Sequence, residues 1–339
     1  MMLPISYECD KSIEVYYLSK EFIENGKIKE KISDLFWIYY SIGDLIPHTT
    51  ESLWSGHFFP WTESWEEVQI SYNLCLFGFY KQAMVSLRSA LELGLLSVYW
   101  NLNDDGHKII REWLKSEKYT PYNDEIWKKL KNHKNFKLFQ QKIDIKNRIS
   151  NLGFLSNFVH SKGHKYSNSI GLLKSNFQTF EDKAFNIWFG AFEEVVKVLS
   201  ILHLIKYPIG VIQFDYHKKF GIDTPMFGGL QEFKIEWIKK LISKEEFNQI
   251  EMIAQQDETV KEILEWISQL PDMSEDEREQ QIIDFDKETI HREGLENWLK
   301  NEKFIFEKSE NNEKYQKRFV YLTNWAKENK FEKPIWERK

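Results

Sequence analysis

Residues 80–100 read YKQAMVSLRSALELGLLSVYW, and this stretch decides the fold class. Across Val85–Tyr99 every residue is apolar, small or hydroxyl-bearing except Arg88 and Glu92. At 100° per residue, Arg88 and Glu92 share one facet of a helix, and Ser86, Ser89 and Ser97 fall on a second facet roughly opposite. The serine facet suits close helix–helix contact or the outside of a bundle. The charged facet then points somewhere enclosed. Spaced i,i+4, the two charges can pair on one helix side. A buried charge without a partner costs several kcal/mol, so they must neutralise each other or meet a third group. Two readings stay open: a structural ion pair that fixes helix register, or an arginine that holds a phosphate while Glu92 orients it.

Working outward, helical periodicity dominates. Ser64 and Glu67 read as a capping box that opens a continuous apolar helix to about Trp100. Lys27–Leu45 carries Ile32, Leu35, Phe36, Tyr39, Ile42 and Leu45 on one side, and Pro47–Trp61 reads as an aromatic loop. Lys108–Lys118 and a segment capped by Asn123 or Asp124 are short helices, and Phe136–Ser161 holds a second helix of interest, with Gly163 as a C-terminal stop. Thr179–Lys206 is long, with Phe185, Trp188, Phe189, Phe192, Val195, Val196, Leu199 and Leu202 facing inward, and Tyr207-Pro208 ends it. Prolines and glycines crowd 208–229, which reads as a domain boundary. Beyond it come short acidic helices with capping boxes at Ser243/Glu246 and Ser274/Glu277, a final helix over Asn311–Lys330 and a tail from Phe331. The only strand candidates are Ser12–Tyr17 and Ile209–Phe214. The expected domains are therefore an N-terminal helical segment (1–65), a helical bundle (66–208), a linker (209–229) and an acidic helical C-terminal domain (230–339), all α.

The net charge of -6 is zoned. Residues 1–70 hold 5 Lys/Arg against 12 Asp/Glu, residues 111–165 hold 13 against 5, and residues 230–339 hold 19 against 26. A basic middle suits an anionic ligand such as RNA or a nucleotide, or else packs near acidic neighbours. The acidic C-terminal region suits a protein partner. Met1–Asp10 lacks a basic stretch followed by an apolar run, so no signal peptide is expected. No apolar run is long enough to span a bilayer. The two cysteines, Cys9 and Cys75, form neither a metal spacing nor a disulfide framework, which points to a reducing, cytoplasmic setting. No P-loop, GxGxxG, nucleophile elbow or HExxH is present, and no cofactor is implied.

The second constellation is LSNFVHSKGH, Leu155–His164. Gly153 and Ser156 precede His160 on its helix face, so another helix can approach and leave His160 at the end of a tight groove. There the helix dipole favours imidazolium. His160 reads as a general acid/base, with Arg148, Lys162 and His164 as phosphate contacts. The other reading is a histidine that hydrogen-bonds across the bundle. A metal at His160 and His164 is discounted, because Gly163 breaks the helix and no Asp, Glu or Cys lies nearby. His203 reads as a satisfied core histidine.

The pair AMVSLRSALE (Ala83–Glu92) and LSNFVHSKG resembles a group of bacterial helical proteins with an R-S-x-x-E helix and a later L-S-x-x-V-H helix end. These look related to HEPN-like domains, helical bundles of toxins, abortive-infection systems and other antiviral defence proteins. The resemblance covers roughly 66–208. It implies a defence or toxin-type effector acting on RNA or a nucleotide through Arg88, Glu92 and His160, with metal-independent ribonuclease activity and homodimerisation. The alternative it leaves is a non-catalytic binding or scaffold subunit. The family's nuclease motif places an Arg shortly before a His on one helix. Here the nearest preceding arginine is Arg148, so Arg88 would have to supply the charge from another helix.

Overall fold

A computed structural model describes residues 7–26, 28–46, 58–100, 102, 108–168, 171–173, 178–221, 228–308 and 313–338. Every regular element among them is helical, and the one β-type pairing is an isolated bridge between Tyr166 and Gly171. The chain divides into two compact units. One comprises residues 1–214 and 224–265, the other 215–223 and 266–339.

The first unit contains α1 (Cys9–Asn25), α2 (Lys29–Ile42), α3 (Phe59–Leu76), α4 (Tyr80–Trp100), α5 (Lys108–Leu114), α6 (Asn123–Leu130), α7 (Lys134–Gln140), α8 (Ile145–Asn151), α9 (Ser156–Val159) and α10 (Asp182–Lys206). It also contains α12 (Glu232–Leu241) and α13 (Lys244–Gln256). Its centre is the α3–α4 hairpin packed on α10. The expected single helix from Ser64 to Trp100 is broken at Gly78, which sits at φ +78°. There the Gly78 N–H bonds Cys75 O at 3.0 Å and the Phe79 N–H bonds Leu74 O at 2.9 Å, a Schellman stop that Gly adopts without Cβ strain. Ser64 is accordingly no cap. It lies inside α3, buried, and donates to Ala90 O of α4 at 2.6 Å. Ser71 repeats the device, donating to Ala83 O at 2.7 Å and accepting from Trp188 Nε1 of α10 at 2.9 Å. These serines satisfy themselves on neighbouring backbone, so small polar residues let the helices approach closely without orphaned groups.

Several expectations change. The helix face expected to carry Gly153, Ser156 and His160 is interrupted: after α7 and α8 comes a 3₁₀ turn at Leu152–Leu155, and only then the short α9. The restart at α8 is set by Asp144, whose carboxylate accepts from Asn147 N at 3.0 Å. Neither strand candidate is a strand. Ser12–Tyr17 lies in α1, and Pro208–Val211 is a buried 3₁₀ turn against α13. Residues 208–211 are thus core rather than linker, and residues 222–227 of the expected linker lie outside the described residues. Ile235 and Ile238 of α12 and Phe247, Ile250 and Ile253 of α13 join the same hydrophobic core, so 230–265 belongs with the first unit. The expected aromatic loop is described only from Phe58, and Trp61 is helical in α3.

The second unit contains α11 (Tyr216–Phe220), α15 (Glu275–Glu293), α16 (Leu295–Lys308) and α17 (Glu313–Glu328), while α14 (Glu258–Gln269) runs across the division at 265. Its core is Ile290, Leu295, Trp298, Leu322 and Ala326, with Phe331 packed against it. The expected tail is therefore docked. Arg338 donates to Ile290 O and His291 O and lies 4.4 Å over the Phe331 ring. Ser243/Glu246 and Ser274/Glu277 form the two expected capping boxes. No described helix is long and apolar enough to cross a membrane.

Candidate functional site

Arg88 and Glu92 sit mid-way along α4, one helical turn apart, and form an ion pair through Arg88 Nη2. Their environments differ. The Arg88 side chain is 14% exposed and that of Glu92 44%. The enclosed facet expected from the helical wheel is thus closed at the arginine and open at the carboxylate. Arg88 Nη1 is buried and makes no hydrogen bond among the described residues. A guanidinium carries five donors in a rigid fork, so one carboxylate leaves most of them unused.

Both side chains line a cavity of about 550 Å³. The opposite wall comes from Thr120, Tyr122, Asp124 and Ile126, the approach to α6 and its first turn. Local chemistry shapes that wall. The Glu125 carboxylate accepts from the Tyr122 N–H and from the Tyr119 hydroxyl, each at 3.0 Å, and pins the segment before α6. The bond to Glu125 raises the Tyr119 phenol above its ordinary value. The Trp113 indole of α5 donates to Thr120 Oγ1 at 3.1 Å. Tyr122 is largely exposed and Ile126 is buried, and both line the cavity. The cavity therefore offers one cation, two carboxylates and an aromatic rim.

His160 does not join this site. It caps the four-residue α9, is exposed, and is absent from the cavity lining. Its turn is fixed by Lys81 Nζ donating to Ser161 Oγ at 2.6 Å, beside the N-terminal end of α4. From Lys81 to Arg88 is about 10 Å along a helix axis. The tight groove expected from Gly153 is not formed. Gly153 is exposed, and a Cβ built there meets nothing within 4 Å. Lys162 and His164 are exposed on the same turn. Arg148 does not serve as a free phosphate contact. It pairs with Glu246 of α13, whose side chain is only 2% exposed and also accepts from Ser243 N at 2.6 Å. Leaving that carboxylate unpaired would be costly, so neutralising it is a structural task. The three residues expected to converge thus separate into a pocket pair and a surface histidine.

The basic middle region is a solvated face. Lys128, Lys131, Lys137, Lys142 and Lys146 are exposed along α6–α8. His203 is the satisfied core histidine anticipated, with Nδ1 2.8 Å from Leu199 O and Nε2 3.3 Å from Ser97 Oγ. Burial lowers its pKa to about 4, partly opposed by the bond to Leu199 O. Among the described residues, no group of three or more His, Cys, Asp or Glu could hold a metal.

What the sequence reading missed is the partner wall. Thr120-Pro121-Tyr122 carries no motif, and nothing in its spacing from Arg88 announces a shared cavity. No protein-family model, curated protein or solved structure matches this chain.

Proposed function

We propose that this chain is a nucleotide- or RNA-directed effector whose site is the Arg88–Glu92 cavity, with Arg88 receiving a phosphate. The observation that carries this reading is the buried, unpartnered Nη1 of Arg88 at the wall of a cavity large enough for a mononucleotide. A charge-assisted hydrogen bond from that fork to a phosphate supplies roughly 1.5–3 kcal/mol. Glu92 holds the guanidinium in register. Asp124 offers acceptor oxygens to ribose hydroxyls or exocyclic amines, and the exposed Tyr122 ring offers a stacking surface. The lysines of α6–α8 add a long-range field that draws polyanions toward this unit.

The exposed His160 takes no part in this site, so the reading is one of recognition rather than His160-driven cleavage. The HEPN-like resemblance and the defence or toxin setting it implies are compatible with such a recognition role. The alternative is a scaffold in which Arg88 and Glu92 only fix packing.

Calorimetric titration of the purified chain with ATP, GTP and a short single-stranded RNA separates the two. Binding of at least one, weakened tenfold or more in a folded Arg88→Met variant, supports the proposal. No binding of any, or equal binding by Arg88→Met, overturns it and leaves the scaffold reading.

A further inference from the structure

A second concavity, of about 440 Å³, lies in the second unit. Its walls are the first two turns of α15 and α17, with His217 of α11 contributing. Arg278, Lys314 and Arg318 face Glu275 and Glu279 there, and His217 completes the rim. Of the two carboxylates, Glu275 pairs with Lys314 at 3.0 Å, which holds the Glu275 carboxyl below its ordinary value.

Arg318 is the residue whose setting calls for a ligand. Its side chain is 17% exposed. Its Nε lies 3.5 Å from Asp286 Oδ2, and its guanidinium lies 5.0 Å over the Tyr315 ring. Asp286 is itself anchored by the Trp298 indole, which donates to Oδ1 at 3.2 Å. The arginine is therefore held from behind and from one face. Its two terminal nitrogens make no hydrogen bond among the described residues. Arg278 is anchored in a similar way, since Nη1 donates to Met273 O at 2.9 Å, and among the described residues its other nitrogens make no hydrogen bond. Two pre-oriented forks at one concavity match the geometry by which arginine grips an oxyanion with paired donors.

We infer that this concavity is a binding site for a small, multiply charged oxyanion, a pyrophosphate-type or polycarboxylate group. It is separate from the Arg88 cavity, and its ligand is gripped by Arg318 and Arg278 with Lys314 at the rim. Glu279 in the same lining repels any anion, so a ligand gains only by engaging both guanidinium forks at once.

The test is calorimetric titration of the full chain carrying Arg88→Met, which removes the cation of the first cavity, with inorganic pyrophosphate and in parallel with citrate. The expected result is one-to-one uptake of at least one of them, with the preferred probe identifying phosphate or carboxylate as the group recognised. Arg278→Gln with Lys314→Gln weakens uptake tenfold or more. Both positions lie away from the buried Asp286, so the unit keeps its fold. Arg318→Lys retains the charge but loses the fork, and weakens uptake in the same direction. No uptake of either probe, or uptake that neither set of variants alters, overturns the inference. Because Arg88 is absent throughout, failure here is independent of failure at the first cavity.

Discussion

At the residue scale, His203 shows how a polar group is kept in an apolar helix interface. It is fully buried between α4 and α10, with both ring nitrogens placed on acceptors or hydroxyls. Burial disfavours the charged ring and lowers its pKa to about 4 from the usual value near 6.5. The unfolded chain therefore binds more protons than the native one across that interval. The neutral ring contributes nothing unfavourable above pH 6.5, and stability is lost as pH falls from there toward 4. The shift amounts to ~3 kcal/mol in the limit. Urea unfolding midpoints should fall between pH 7 and pH 5, and His203→Gln should flatten that slope. An unchanged slope in the variant would assign the acid sensitivity to other groups.

At the element scale, two helical glycines make opposite predictions. A Cβ at Gly94 of α4 would lie 2.5 Å from Leu199 Cδ1 and 2.7 Å from Cδ2 on α10, so Gly94 is what allows these helices to approach. Alanine there gains about 1 kcal/mol of helix propensity but overpacks a close interface, typically at 1–3 kcal/mol. Gly94→Ala should thus be net destabilising. Gly190 of α10 is exposed, and a Cβ there meets nothing within 4 Å. Gly190→Ala should be stabilising by up to about 1 kcal/mol. Urea midpoints moving in the same direction for both variants would refute this account of the α4–α10 contact.

At the scale of the whole molecule, the core of the first unit draws on helices far apart in sequence. Ile235, Ile238, Ile242, Phe247, Ile250 and Ile253 all belong to the cluster that holds α4 and α10. Burying such side chains is worth about 1.5–3 kcal/mol each, so these six together rival the 5–15 kcal/mol that separates a folded domain from its unfolded chain. A fragment of residues 1–265 should unfold cooperatively. A fragment of residues 1–229, cut where composition suggests a boundary, should lose that transition or aggregate. Equal cooperativity in the two fragments, followed by circular dichroism in urea, would restore the compositional boundary.

The sequence by itself determined the all-helical class, most helix positions, the inward face of α10, the Arg88–Glu92 pair and two capping boxes. Each is local: a period of 3.6, an i,i+4 spacing or a cap read over a few residues. It misplaced the helix start before Ser64, the continuity through Gly78 and the shared helix face of Gly153 and His160, where turn chemistry overrode a continuous apolar pattern. Only the tertiary structure decided that Thr120 and Tyr122 face Arg88 and that His160 stands apart. Likewise it alone gave Arg148 a buried carboxylate as partner and returned 230–265 to the first core. Each of those is a contact between residues distant along the chain. Such contacts are set by which apolar faces bury together, and no local period encodes them.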